Sequence, residues 1–308
     1  GRRPAGALPA RRGWVHNQGM RRRLPALLLV LLLPAAAIAQ VPAYVTQWGG
    51  YGAAAGQFDF PEGVAVDAGG TVFVADNLNN RVQAFSSDGV YIRQWGGYGS
   101  AAGQLSGPFG VAVDATGQVF VADTYNHRVQ VFTAEGTWLG GWGSQGSAAG
   151  QFDKPMGVAV SPTGRVYVTD YLNHRVQFFA TNGVYLGQWG GYGVADGRFN
   201  CPAGIAVGPG GILYVADQLN HRVQVFDAGG AFLRKWGGYG AGDGQLNGPS
   251  GVAVDGNGHV YVADGYNDRV QIFSADGTYR TEWGVSGSGS GEVARPLFLA
   301  LAPRAPGV

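Results

Sequence analysis

The sequence predicts an all-β protein made of tandem copies of one structural unit. Arginine and tryptophan each recur at a fixed interval along the chain, without insertions. The copies are marked by Arg81, Arg128, Arg175, Arg222 and Arg269 and by Trp48, Trp95, Trp142, Trp189, Trp236 and Trp283. Such a period indicates units that each pack against a copy of themselves.

Each unit contains four short segments with the composition of β-strands. In the copy at 104–150 these segments are rich in valine and aromatic residues and are separated by turn residues; they span 110–114, 119–123, 128–132 and 137–142. A paired-helix repeat is excluded, because no segment shows apolar residues at helical spacing and the chain contains 55 glycines.

The turn residues indicate how the four strands are connected. Tight hairpin turns are predicted between the third and fourth strands at Asp88-Gly89, Glu135-Gly136, Asn182-Gly183 and Asp276-Gly277, and short turns join the first and second strands. The longer loops between the second and third strands, and the glycine-rich links between units, then emerge together on the opposite face. Four-stranded units connected in this way predict a β-propeller, whose closed ring also removes long exposed strand edges.

The loop before the third strand carries a recognisable motif. It reads DTYNHRVQVF at 123–132, DYLNHRVQFF at 170–179 and DQLNHRVQVF at 217–226, and each copy is followed by a W-G pair. These segments resemble NHL repeats over residues 41 to about 302. The resemblance implies a propeller of six blades, but it does not define an activity, because the family includes RNA-binding modules, protein-binding scaffolds, sensor domains and a few lyases. The copies at 79–81 and 267–269 lack the histidine of the motif.

The predicted domain boundaries follow the period. Residues 40–308 are expected to form the propeller, with repeats at about 57–103, 104–150, 151–197, 198–244 and 245–291. A partial repeat at 292–308 and a strand at 44–49 are expected to build the sixth blade together. One period further on, the third strand of that blade falls beyond Val308, so we expect the sixth blade to be incomplete in this chain and the reading frame to be truncated or shifted.

Residues 20–39 have the pattern of a secretory signal peptide. Three arginines follow Met20, a short apolar run covers 27–33, and small residues precede Gln40. We therefore expect cleavage after Ala39, a secreted or periplasmic protein, and no transmembrane segment after cleavage. Residues 1–19 are expected to be a non-native upstream extension.

The charge distribution disfavours nucleic acids as partners. Residues 1–39 contain seven arginines and no acidic residue, so 40–308 carry 14 basic and 20 acidic residues, a net charge of −6. Only two lysines are present, whereas a nucleic-acid surface requires clustered cationic side chains. The single cysteine, Cys201, excludes an internal disulfide, so stability must come from packing.

Residues present in every copy are expected to serve the structure. The repeated Asp and Arg of the D-x-x-N-x-R motif are predicted to form an ion pair across the loop. His127, His174 and His221 suggest a zinc site, but equivalent positions on a ring diverge rather than converge on one ion, so neither a metal nor another cofactor is predicted. A recurring tyrosine in the links either binds a sugar, peptide or polymer or only caps its own loop; the set is Tyr51, Tyr98, Tyr192 and Tyr239.

Residues that vary between copies are the predicted ligand-binding positions. One set is expected to line the mouth of the central channel and consists of Glu62, Phe109, Met156, Ala203 and Ser250. A second set follows the repeated Asp, is expected further out on the same surface, and consists of Asn77, Thr124, Tyr171 and Gln218. A mouth with one carboxylate and mainly apolar groups favours a docking surface over a catalytic site.

These patterns together predict an exported, non-catalytic binding module. Its expected partner is a protein, a peptide or a cell-envelope polymer, and the module is expected to be a monomer without a cofactor. The alternative is a metal-dependent propeller enzyme similar to the lyases or lactonases, with Glu62 as the one acidic residue near the axis. An RNA-binding propeller is a more remote alternative.

Overall fold

The chain folds into separate four-stranded antiparallel sheets, each made of consecutive strands. The computed structural model describes residues 44–287, 289 and 291–301. Within them five sheets form, and in every sheet the strand order follows the chain. The predicted signal peptide, the upstream extension and residues 302–308 lie outside the described residues.

The strand bounds repeat from blade to blade. Blade 1 contains β1 (Pro61–Val66), β2 (Val72–Asp76), β3 (Arg81–Phe85) and β4 (Tyr91–Gly96). Blade 2 contains β5 (Pro108–Val113), β6 (Val119–Asp123), β7 (Arg128–Phe132) and β8 (Trp138–Trp142). Blade 3 contains β9 (Pro155–Val160), β10 (Arg165–Asp170), β11 (Arg175–Ala180) and β12 (Tyr185–Gly190). Blade 4 contains β13 (Pro202–Val207), β14 (Leu213–Asp217), β15 (Arg222–Phe226) and β16 (Phe232–Gly237). Blade 5 contains β17 (Pro249–Val254), β18 (Val260–Asp264), β19 (Arg269–Phe273) and β20 (Tyr279–Trp283). Short 3₁₀ turns occur at Thr124–Asn126, Pro209–Gly211, Gln218–Asn220 and Gly265–Asn267.

The first strand of each sheet is the innermost one. The first strands of neighbouring blades contact one another in the order β1, β5, β9, β13 and β17. The approach is close: a Cβ atom on Gly63 would lie 2.2 Å from the carbonyl oxygen of Phe109. Glycine at this position therefore allows neighbouring inner strands to pack around the axis.

The hydrophobic core lies between the blades. Between blades 1 and 2, Phe73 and Val82 pack with Val119 and Phe132, and clusters of the same kind fill the other interfaces. The repeated tryptophan of the outer strand closes each interface. The rings of Trp95 and Phe132 lie 5.9 Å apart, so the period of the tryptophans reflects packing between neighbouring blades.

The structure has five complete four-stranded blades, not the six that the family resemblance implies. Between blades 5 and 1, two segments that form no β-strand take the place of a sixth blade. Residues 296–301 lie at the centre, where Leu299 packs against blade 5 and Ala300 against blade 1. Residues 44–49 were predicted to be a strand and are not one, yet Trp48 still packs against Phe85, with ring centroids 6.3 Å apart. Both ends of the described chain thus contribute to this position.

The strands predicted for blade 2 are confirmed. The strand segments predicted for blade 2 agree with the observed bounds to within two residues. Among the described residues, no helix is long and apolar enough to cross a membrane.

Candidate ligand-binding face

The long loops share one face of the propeller, as predicted from the turn pattern. The loop between the second and third strands of each blade lies against the link that leads into that blade. In blade 2, Asn126 Nδ2 donates to the carbonyl oxygen of Gly99 at 2.8 Å, and Arg128 Nη2 donates to that of Ala101 at 2.9 Å. These hydrogen bonds fix both segments on the same face, which is called the long-loop face.

The repeated Asp and Arg form the predicted ion pair in all five blades. In blade 2, Arg128 Nε lies 2.7 Å from Asp123 Oδ2, and the aspartate is fully buried. The same carboxylate accepts hydrogen bonds from Asn126 Nδ2, Gln130 Nε2 and the backbone N–H of Ser106. Both oxygens of this buried carboxylate therefore have hydrogen-bond donors. These residues hold the loops in place and are not available to a ligand.

The motif histidines bridge neighbouring blades. His127, His174 and His221 adopt left-handed backbone conformations, and each Nδ1 accepts a hydrogen bond from a backbone N–H of the next blade. Asn80 in blade 1 and Asp268 in blade 5 accept the equivalent hydrogen bond through Oδ1, from Gly107 at 2.9 Å and Arg295 at 2.7 Å. The position thus requires an acceptor and a left-handed conformation, which His, Asn and Asp all supply.

The histidines lie at three different blade interfaces. Within the described part of the chain, no group of three or more His, Cys, Asp or Glu side chains is placed to hold a metal ion. Burial lowers the pKa of His221 below its ordinary value, which favours the neutral imidazole that accepts a hydrogen bond.

The link tyrosines stand out from the long-loop face. Tyr51, Tyr98, Tyr192 and Tyr239 are 50% to 78% exposed. The rings of Tyr192 and His174 have centroids 5.0 Å apart, and Tyr239 and His221 repeat this contact at the same distance. In blades 3 and 4 the bridging histidine therefore also supports an exposed aromatic ring.

The sequence predicted that the variable positions after the repeated aspartate lie on the surface, but the structure buries them. Asn77, Thr124, Tyr171 and Gln218 are all buried. Asn77 and Thr124 donate to backbone carbonyl oxygens of the next blade, at 3.1 Å and 2.6 Å, and Tyr171 Oη donates to Gln218 at 2.8 Å. Each blade is rotated relative to the next, which turns this position toward the neighbouring blade rather than toward solvent. These residues shape the interfaces below the surface.

The variable positions at the start of the inner strands were predicted to line the mouth of the central channel. The rings of Phe109 and Phe298 lie 6.1 Å apart, although they belong to positions on either side of blade 1. Phe109 and Met156 are partly exposed, whereas Ala203 and Ser250 are buried. These residues and Glu62 are called the ring of inner-strand residues.

Glu62 is the one acidic side chain in this ring. It is 8% exposed, and its Oε2 has no hydrogen-bond partner within the described structure. Burial raises the pKa of Glu62 to about 8, against an opposing effect of the positively charged Arg295. The carboxyl group is therefore mainly protonated near neutral pH and differs in this respect from an ordinary surface glutamate.

One set of surface residues was missed at the sequence level. The residue two places after the repeated aspartate is apolar in every blade and 38% to 47% exposed; the set is Leu78, Tyr125, Leu172, Leu219 and Tyr266. Phe60 adds a further exposed ring on the same face. The sequence contained a signal for these residues. The position is apolar in all five copies but lies in a loop, so packing within a strand does not explain it. These residues and the four link tyrosines together are called the apolar loop surface.

Comparisons with known proteins agree with the architecture. Five segments match the NHL repeat family, at residues 58–85, 105–132, 152–179, 199–226 and 246–273. No curated protein sequence shows significant similarity to this chain.

Several solved structures share the fold at low sequence identity. Virginiamycin B lyase from Staphylococcus aureus is 14% identical with a TM-score of 0.55, covering 77% of this chain and 73% of the lyase. A chain in a nidogen–laminin complex is 19% identical with a TM-score of 0.55, covering 72% and 79%. A gluconolactonase from Xanthomonas campestris is 18% identical with a TM-score of 0.54, covering 73% and 75%. These neighbours include both enzymes and a protein found in a complex, so they support the fold and leave the activity open.

The motif, its five matched copies and the four-stranded blades that they build lead to one assignment: the chain belongs to the NHL repeat family and is a β-propeller.

Proposed function

We propose that this protein is an exported binding module that docks a protein or peptide segment on its long-loop face. The observation that carries the proposal is the apolar loop surface, where exposed tyrosine and leucine side chains recur on successive blades of one face. Clustered exposed apolar residues mark interaction sites more often than isolated ones do, and tyrosine is enriched at protein interfaces.

The architecture beneath this surface supports the proposal. The loops that carry the apolar residues are held by buried Asp–Arg pairs and by hydrogen bonds between blades. A rigid support reduces the entropy lost when loops bind a partner. The binding side chains on such loops can therefore differ between propellers while the ring that supports them stays the same.

The proposal also includes the location, the oligomeric state and a second ligand class. The arginine-rich leader with its short apolar run supports export to the periplasm or the exterior, and the acidic balance of residues 40–308 disfavours nucleic acid. The protein acts as a monomer without a cofactor. A cell-envelope polymer that presents apolar or sugar rings is the second ligand class that the exposed tyrosines fit.

Site-specific photo-crosslinking tests the proposed docking face. A crosslinking residue at Tyr98 or Tyr192 is expected to capture one discrete partner in the native envelope, whereas the same residue at Val90 or Val184, on the tight-turn face, captures none. The triple variant Y98A/Y192A/Y239A should lose the partner with little change in thermal stability, because these side chains are exposed. Equal capture from both faces would contradict the proposal.

The enzyme alternative rests on one observation, the unpartnered carboxyl group of Glu62 near the axis. A carboxyl group with a raised pKa is suited to general acid–base catalysis. Turnover of a lactone that is lost in the Glu62→Gln variant would favour this alternative over a binding module.

A further inference from the structure

We propose that the channel mouth contains a binding site for an organic cation of the lysine or arginine type, with Glu62 as its anionic partner and Phe109 and Phe298 as its aromatic wall. This inference rests on the proposed function, because the cation would belong to a side chain of the segment that docks on the long-loop face.

Glu62 is not required by the architecture of the ring. The equivalent residues of blades 2 to 5 are Phe109, Met156, Ala203 and Ser250, and each of them packs without a carboxylate. A buried carboxyl oxygen without a partner costs free energy, and such groups in folded proteins are normally satisfied. Among the described residues, Glu62 is the one carboxyl group with a buried oxygen that has no hydrogen-bond partner.

A comparison within blade 1 shows what Glu62 lacks. Asp76, on the neighbouring strand β2, is also buried, but it accepts hydrogen bonds from Arg81, Asn79, Gln83 and the backbone N–H of Asp59. Such an aspartate is satisfied within its own loop. Glu62 has no equivalent donors among the described residues, so its Oε2 is buried without a hydrogen bond, and a ligand that supplies a donor would satisfy it.

The surroundings of Glu62 fit a cation that carries apolar carbon atoms. Phe109 and Phe298 lie beside the inner strand of blade 1, and aromatic faces attract ammonium and guanidinium groups. Neither β5 nor residues 296–301, the elements on either side, contains a charged residue. Asp76 on β2 is paired with Arg81.

Among the described residues, Arg295 is the cation that acts on Glu62 electrostatically, and its side chain is engaged elsewhere. Its guanidinium lies 5.0 Å from the ring centroid of Tyr266, and the residue is exposed. Arg295 does not form a hydrogen bond with Glu62 among the described residues.

Protonation gives the site a characteristic dependence on pH. Because the pKa of Glu62 is about 8, the free protein holds a proton on this group at neutral pH. A bound cation favours the ionised form, so binding releases the proton. Below about pH 8 the affinity for the cation is expected to fall by about tenfold per pH unit, whereas above that value it should be constant.

The test uses N-acetyl-arginine amide as the probe and the whole protein. Isothermal titration at several pH values is expected to show binding to the wild type with release of a proton. The Glu62→Gln variant should lose both binding and proton release, and it should be at least as stable as the wild type because it removes an ionisable group from a buried position. Phe109→Leu should weaken binding by about three- to tenfold, through loss of the aromatic face.

Asp196→Asn is the matched control. Asp196 is an acidic residue of the loop side that is half-exposed and paired with Lys235, so its neutralisation should leave probe binding unchanged. Equal binding by the wild type and Glu62→Gln would overturn the inference. Calcium chloride that displaces the probe, with the same dependence on Glu62, would assign the carboxylate to a metal ion and would overturn it as well.

The two proposals fail in different ways. If crosslinking at Tyr98 captures a partner and the wild type does not bind the probe, the cation site is wrong and the docking face stands. If the probe binds and no partner is captured on the long-loop face, the docking face is wrong, and with it the claim that the cation belongs to a docked segment.

Discussion

His174 in blade 3 accepts a hydrogen bond through Nδ1 from the backbone N–H of Cys201 in blade 4, at 3.0 Å. The contact joins a loop of one blade to the entrance of the next inner strand. The same relationship recurs with His127 and Lys154, and with His221 and Gly248. The motif that identifies the family thus includes a hydrogen bond between blades.

The first prediction concerns the replacement of the three histidines by asparagine. Asn80 already occupies this position in blade 1, where its Oδ1 accepts the equivalent hydrogen bond. The variant H127N/H174N/H221N should therefore keep its stability and its partner binding. Alanine at each position should cost about 1 kcal/mol of unfolding free energy, because a backbone N–H loses its acceptor. Urea denaturation measures both series, and a loss of binding by the folded asparagine variant would instead indicate a histidine-based site.

The second prediction concerns the pH dependence of stability. The pKa of His221 is lowered in the folded protein by burial, so below the ordinary pKa the unfolded state binds more protons at this group. The contribution of the neutral imidazole is therefore fully present above about pH 6.5 and is lost as the pH falls below it. His221→Asn should reduce the loss of unfolding free energy between about pH 7.5 and about pH 5.5. Identical pH profiles for both proteins would contradict this assignment.

Local patterns in the sequence predicted most of the architecture. The bounds of β6 and β7 follow from valine-rich segments between turn residues, and the pair formed by Asp123 and Arg128 follows from their spacing across one short loop. The roles of other residues depend on the neighbouring blade. Asn77 is buried, and His174 is a bridge, because of how one blade is rotated against the next. The rotation between blades is a tertiary property, so it cannot be predicted from the sequence of a single repeat.

The apolar loop surface shows a different reason for an incomplete prediction. Leu78 and Tyr125 belong to a repeated apolar position, whereas the sequence analysis predicts ligand sites from positions that vary between copies. Two kinds of position vary between the blades of a propeller. Some make no packing contacts, and others pack against a residue of the neighbouring blade that also varies. Tyr171 and Gln218 belong to the second kind, since they form a hydrogen bond with each other.

The third prediction compares a buried ion pair with an exposed one. Asp170 accepts hydrogen bonds from Arg175, Asn173 and Gln177 and is fully buried. Asp170→Ala leaves Arg175 without its carboxylate and should lower the free energy of unfolding by about 3 to 5 kcal/mol.

The control for this prediction is the surface pair of Lys235 and Asp196, in which both side chains are about half exposed. Asp196→Ala should change the free energy of unfolding by less than about 1 kcal/mol, because solvent screens the interaction. Urea denaturation of the two variants side by side gives the comparison. Equal losses would show that the repeated aspartate is not a structural element of the blade.

The last prediction concerns Trp48 and the position between blades 5 and 1. Trp48 contacts Phe85, and a Cβ atom on Gly89 would lie 2.6 Å from its ring. Trp95 has the same relationship to Phe132 and Gly136 in the next interface. Although residues 44–49 do not form a strand, the tryptophan therefore packs as its counterparts in the complete blades do.

Trp48→Ala and Trp95→Ala should each lower the free energy of unfolding by about 3 kcal/mol, the low end of the range for this change, because both rings are half-buried. Trp138→Ala is the control, since Trp138 is 44% exposed and its loss should lower the free energy of unfolding by only about 1 kcal/mol. Circular dichroism follows the unfolding, because the substitutions remove the fluorescent residue itself. A loss for Trp95→Ala without one for Trp48→Ala would show that residues 44–49 do not stabilise the ring, and that the outer edge of blade 1 is open at this position.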